Sequence, residues 1–168
     1  MVAVADTGLL PMRISKAVGL QHGGEIFEYM VLDERDGDRC LAIQVGHAEA
    51  FELAANLQGL GWDRPMTYQF TAALVRSVGG RVREVRVDRI VDGAYAATVE
   101  VEGPQGMGLV DARCSDALNL AVLADAAVFA SAEMLAECIG RQEAVSAEAA
   151  LLRRAVAAES MTIRRMDR

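Results

Sequence analysis

Apolar and polar positions change period repeatedly along this chain, and each change marks an element. From Met12 to Leu20 and from Glu25 to Leu32, β-branched and apolar residues predict two strands. DERDGDR (Asp33 to Arg39) contains Asp36-Gly37, a hairpin signal, and CLAIQVG (Cys40 to Gly46) alternates as a returning strand. The period then lengthens. Ala50, Phe51, Ala54 and Leu57 fall at helical spacing, with Gly59 and Gly61 as the stop. WDRPMTYQFTAALVRSVGG predicts a second helix: Thr67 is placed to cap it, Phe70, Leu74 and Val78 line one face, and Gly79-Gly80 ends it.

In the second half, REVRVDRIVDGAYAATVEVEG predicts two long strands joined at Asp92-Gly93. GMGLVDA predicts a further strand after the Gly103-Pro104 turn. A helix from about Ser115 to Ala124 follows, then a short strand AVFAS and a short helix AEMLAEC. From Gln142 to Glu159 an amphipathic helix carries Val145, Ala149, Leu152 and Val156 on one stripe, ahead of the locally basic SMTIRRMDR. Hairpins outnumber crossovers. The pattern predicts an α+β fold with a mixed, mainly antiparallel sheet and helices packed against it. It divides the chain into a loose N-terminus (1–11), a main domain (12–140) and a C-terminal amphipathic helix with a basic tail (141–168).

Composition narrows the function classes. A 52% hydrophobic and 24% charged chain of 168 residues is ordinary for a globular domain, not for a disordered one. No run reaches the length of a membrane span, so no membrane role is expected. The first residues lack the basic start of a signal peptide. Cys40, Cys114 and Cys138 are odd in number and widely spaced, which disfavours thiolate zinc sites and disulfide frameworks and predicts a cytoplasmic location. The net charge of −7 argues against broad attraction to nucleic acid but not against a local basic groove. Lys16 is the only lysine, so basic charge is almost all arginine.

Chemistry-bearing residues crowd at helix entrances. VDARCSDALNLAVLA puts Asp111, Arg113, Ser115 and Asp116 immediately ahead of an apolar helix face. One reading is structural: Ser115 or Asp116 caps the helix, carboxylates meet its positive end, and Arg113 pairs with a neighbouring acid. The other is a cleft where Asp111 and Asp116 hold a hard cation such as Mg²⁺ or Mn²⁺. Glu49, in the first turn after Gly46, is a candidate third carboxylate. Arg64, in DRPMT, either pairs with Asp63 or Glu49 or holds a phosphate. Arg81, Arg83, Arg86 and Arg89 alternate with acids and read as a salt-bridged, solvated face. No phosphate-binding glycine loop or nucleophile elbow is present.

LAIQVGHAEAFELAANLQG, RPMT, VRVDRIVDGAYAATVEV and VDARCSDALNLAVLA, in this order, resemble the bifunctional nuclease domain family over roughly residues 12 to 138. The resemblance implies an α+β fold, usually a homo-oligomer, and nuclease activity on RNA or DNA. It points to Glu49, Arg64, Thr67, Asp111, Arg113, Ser115 and Asp116. In that reading Asp111, Asp116 and Glu49 hold an ion and water, while Arg64 and Arg113, with Thr67 and Ser115, hold the nucleic acid. The chain departs from the family pattern in three places. Tyr68-Gln69 stand where His-Asp is common, Cys114 where proline is usual, and Ala42 and Gln44 interrupt a more apolar strand.

The expected function is therefore a phosphodiester hydrolase. Two alternatives stand beside it: a non-catalytic oligomeric binding module, and the same fold recruited for a small-molecule reaction.

Overall fold

The computed structural model describes residues 8–144 and 146–163. Seven strands form one sheet: β1 (Leu9–His22), β2 (Glu25–Glu34), β3 (Cys40–Val45), β4 (Arg81–Val91), β5 (Ala94–Gly103), β6 (Gly106–Arg113) and β7 (Ala127–Ser131). Their order is β3-β2-β1-β7-β4-β5-β6. Every neighbouring pair is antiparallel except β4 with β7. The helices are α1 (His47–Leu57), α2 (Thr67–Ser77), α3 (Cys114–Ala124), α4 (Ala132–Glu143) and α5 (Ala147–Ala157). This is the α+β architecture with a mainly antiparallel sheet. At the β4–β5 hairpin, Asp92 (φ 50) and Gly93 (φ 79) both take the left-handed region that a two-residue turn of this kind requires.

Alternation explains the packing. In β2, Met30 and Leu32 enter the main core with Leu53, Leu118 and Val85, while Tyr29 and Val31 point the other way, into a second cluster with Leu151, Leu152 and Ala155 of α5. The β1–β3 half of the sheet is thus covered on both faces, which is why β2 reads as a continuous apolar run. Lys16 secures α5 from below, donating to the carbonyls of Val156 (2.5 Å) and Ala158 (2.6 Å) at the helix end, where a cation meets the negative end of the dipole. On the other half of the sheet, one face carries the expected ion-pair lattice. Arg86 bonds Glu84 and Glu100, and Arg83 lies 3.4 Å from Glu102.

Several boundaries differ from the sequence pattern. β1 begins at Leu9, because residues 9–12 pair with β7. Residue 140 lies inside α4, which runs to Glu143. The predicted helix from Gln142 is instead the end of α4 followed by α5, whose start is capped by Ser146 accepting from the Ala149 N–H at 3.0 Å. Val145 and the end of the basic tail (164–168) fall outside the described residues. Thr67 is not the cap of α2. Met66 occupies that position, its N–H met by Gln69 of the same helix, and the buried carboxylate of Glu52 in α1 accepts from the Tyr68 N–H at 3.2 Å, so part of the cap comes from another helix. The predicted apolar face of α2 is solvent-facing: Phe70, Leu74 and Val78 are 57%, 53% and 67% exposed, while Tyr68 and Ala72 face inward.

Candidate functional site

Strand β6 runs directly into α3, and Arg113 is the residue at the junction, in extended conformation. No side chain caps this helix, so neither Ser115 nor Asp116 takes that role. Cys114 occupies the first helical position, where the backbone N–H has no intrahelical partner and proline is equally suited. Its thiol is buried, and burial pushes its pKa well up. It is an apolar filler there, not a reactive group.

The guanidinium of Arg113 reaches both helices beside it. It donates to Asp116 through Nε at 2.7 Å and through a terminal nitrogen at 2.9 Å, and lies 3.1 Å from Glu49 of α1. Asp116 also accepts from the Tyr68 hydroxyl of α2 at 2.6 Å. Three helices therefore meet through one polar chain: Glu49, Arg113, Asp116, Tyr68. Burial pushes the Asp116 carboxyl up, but hydrogen bonds from Arg113 and Tyr68 outweigh it and hold the value below the usual carboxylate range. Burial, then the bond to Asp116, pushes the Tyr68 phenol up. The bond to Asp116 raises the Arg113 value further, so its charge is fixed.

Buried Asn119 of α3 ties the frame together. Its amide donates to the carbonyls of Glu49 and Ser115, both at 3.1 Å. Tyr68 and Gln69, which the resemblance marks as departures, are built into this frame. Tyr68 holds Asp116, and Gln69 bonds the Met66 N–H (3.2 Å) and Asn56 (3.3 Å). Asn119 and Glu52 were not singled out from sequence, and Tyr68 was noted only as a departure from the family pattern. The partners that join them to other helices are between 16 and 70 positions away, and no local pattern announces such contacts.

Glu49, Arg113 and Ser115 line one wall of a cleft of about 420 Å³. The edge of β3 (42–45), Gly93 to Tyr95, and Arg141, Glu148 and Leu152 supply the others. Arg141 stacks over Tyr95 (5.3 Å from its centroid) and pairs with Glu148 at 2.7 Å. The cleft thus carries two guanidiniums on different walls, each beside a carboxylate.

Not every candidate residue joins this assembly. Asp111 sits on β6 opposite Thr98, turned away from the helix side by the strand's two-residue alternation, and is held by Arg89 of β4. Arg64 is exposed on the loop before α2 and holds no ion pair among the described residues; Thr67 is exposed at the first turn of α2. Asp111 and Asp116 therefore have separate partners on different faces. Among the described residues no group of three or more His, Cys, Asp or Glu side chains is placed to hold a metal ion. The expected Mg²⁺ or Mn²⁺ donor set does not fit this arrangement, because Arg89 occupies one carboxylate and Arg113 with Tyr68 the other.

A family model described as the bifunctional nuclease domain matches residues 30–154, which include every element of the polar chain and the cleft. The chain belongs to the bifunctional nuclease domain family. Two relatives in Mycobacterium tuberculosis, the uncharacterized proteins Rv1829 (strain ATCC 25618 / H37Rv) and MT1877 (strain CDC 1551 / Oshkosh), are each 29% identical over 108 residues. The match spans 64% of this chain and 64% of the length of each of those curated relatives. No helix among the described residues is long and apolar enough to cross a membrane.

Proposed function

We propose that this chain is a phosphodiester hydrolase acting on RNA or DNA, working at the cleft wall formed by Glu49, Arg113 and Ser115. One observation carries this reading. Arg113 is 68% exposed at the cleft while its guanidinium is held by Asp116 on one side and Glu49 on the other. A fixed, charged fork facing an open cleft suits an anionic phosphate, whose charge it would meet without reorganising. In this reading Glu49, beside Arg113 at the cleft, takes the proton of an attacking water. Asp116 and Tyr68 position Arg113. The membership in the family supports nucleic acid as the substrate.

The test is cleavage of RNA and single-stranded DNA by purified protein, with and without Mg²⁺ or Mn²⁺. Arg113→Ala and Glu49→Gln are each expected to lower the rate on the order of 100-fold, the size of losing one preorganised electrostatic partner. Activity that is untouched by both substitutions belongs to a contaminant and sinks the assignment.

A second reading has its own support. The polar chain satisfies itself, and Tyr68 and Gln69 add bonds rather than a free imidazole, as a purely structural junction would. In that case Asp116→Asn costs about 2 kcal/mol, the size of losing hydrogen bonds to a charged group in a partly exposed network, and no cleavage is found in the wild type. In either reading we infer a homo-oligomer, supported by the exposed α2 stripe and the edge strand β6, where Met107, Leu109 and Val110 are all more than half exposed. The free cysteines fit a reducing compartment, and we place the chain in the cytoplasm.

A further inference from the structure

The rings of His47, Phe51 and Trp62 form a row outside the cleft. His47 and Phe51, four residues apart on α1, have centroids 6.2 Å apart. Trp62 adds a third ring, 5.9 Å from Phe51. Its place follows from how α1 ends. Gly59 takes φ +65°, the Gly59 N–H bonds the Asn56 carbonyl, and the Leu60 N–H bonds the Ala55 carbonyl. This closure turns the chain back along the helix and returns Trp62 beside Phe51.

The first ring is also held from behind. Glu28 of β2 is a buried carboxylate, 7% exposed, and its Oε1 lies 2.7 Å from Nδ1 of His47, whose side chain is 79% exposed. A buried carboxylate bonded to an exposed imidazole fixes the orientation of that ring, and apart from its contact with Phe51 leaves most of it to solvent. Arg64 lies two positions beyond Trp62, exposed and without an ion pair among the described residues. The row starts at the first residue of α1, directly after Gly46, which lines the cleft, while Glu49, two positions on, points to another side of the helix.

We infer that His47, Phe51 and Trp62 form a stacking ledge for the unpaired bases of single-stranded RNA or DNA, with Arg64 meeting a phosphate of the same strand. The inference rests on the nucleic-acid reading of the cleft and adds a substrate class to it: unpaired strands, gripped by their bases. Aromatic rings accept any base face, so the ledge is tolerant of sequence. It also answers the charge of the chain. A net charge of −7 leaves little general attraction for phosphates, so a grip through bases with one arginine is the economical solution. The salt dependence should be shallow, with a slope of about −0.7 per phosphate contacted on a single strand.

Trp62 is the only tryptophan, so its fluorescence reports on the ledge directly and does not depend on cleavage. Titration with a 12-nucleotide oligothymidylate is expected to quench it saturably, while a duplex of the same length quenches far less. His47→Ala, at an exposed position, is expected to weaken binding about tenfold, within the range for losing one stacked base. His47→Phe keeps a ring and restores most of it, and Arg64→Ala flattens the salt slope. Absence of quenching, equal quenching by duplex, or unchanged affinity in His47→Ala overturns the ledge. Cleavage is scored separately. A chain that quenches but never cuts loses the hydrolase reading and keeps the ledge; one that cuts while Trp62 is indifferent loses the ledge alone.

Discussion

The Tyr68 hydroxyl donates to Asp116 at 2.6 Å and so joins α2 to α3 at the point where α3 presents Arg113. Removing only that hydroxyl, in Tyr68→Phe, leaves the ring and its packing. Asp116 keeps both bonds from Arg113. The expected loss is about 1.5 kcal/mol, the size of a hydrogen bond to a charged group, read from urea unfolding. An unchanged midpoint would mean that the bond does not stabilise the helix junction.

The same bond sets an acid limit. Asp116 is held below the usual carboxylate range in the folded protein, because the hydrogen bonds from Arg113 and Tyr68 outweigh its burial. Its contribution to stability is therefore complete above the unfolded value of about 3.9, and is lost as pH falls through the lower folded value. The stability gap between wild type and Asp116→Asn is expected to be flat from neutral pH to about pH 4 and to close below it. A gap that stays constant down to pH 2 would contradict the assignment.

Tyrosines set the alkaline limit with the opposite sign. Burial is the leading cause that pushes the phenols of Tyr29, Tyr68 and Tyr95 up, with the bond to Asp116 next at Tyr68 and a bond to Cys138 next at Tyr95. A raised folded value stabilises the native state below the unfolded value of about 10, and that stability drains as pH rises through the folded values. Tyrosinate absorbance should therefore lag in the native protein and appear together with unfolding. A tyrosine that ionises with a midpoint near 10 while the protein remains folded would refute this.

The strands and their turns were legible because period two survives burial. Asp92-Gly93 marks its hairpin, and Tyr29-Met30-Val31-Leu32 reads as a strand even though it serves two cores. Three features of the site were not legible, each for a physical reason. Asp111 and Asp116 are five positions apart, but the strand-to-helix junction lies between them, so closeness in sequence becomes opposite faces in space. The Tyr68 N–H at the start of α2 is met by Glu52, on a different helix, and no reading of α2 alone finds that bond. Helical spacing identified the apolar stripe Phe70, Leu74, Val78 but not the direction it faces, since a core stripe and an interface stripe have the same period.

That stripe supplies the last prediction. Phe70, Leu74 and Val78 repeat every four residues on the solvent side of α2, and the end of that helix meets the β5–β6 turn, where an added Cβ at Gly79 would lie 3.1 Å from Pro104. The edge strand β6 begins there with Met107, Leu109 and Val110 exposed on its two faces, and no strand among the described residues pairs with its outer side. An unpaired edge with apolar side chains is a hazard that folded proteins cover or charge, and here the charges stand only at its far end, at Asp111 and Arg113. A second copy of the chain would cover both features. Leu74→Glu removes little from the fold of a single chain, because Leu74 is already 53% exposed. It is expected to leave thermal unfolding of the dilute protein nearly unchanged, within about 0.5 kcal/mol, while shifting sedimentation from oligomer to monomer. If wild type and Leu74→Glu sediment alike, the α2 stripe is not the surface that joins the copies.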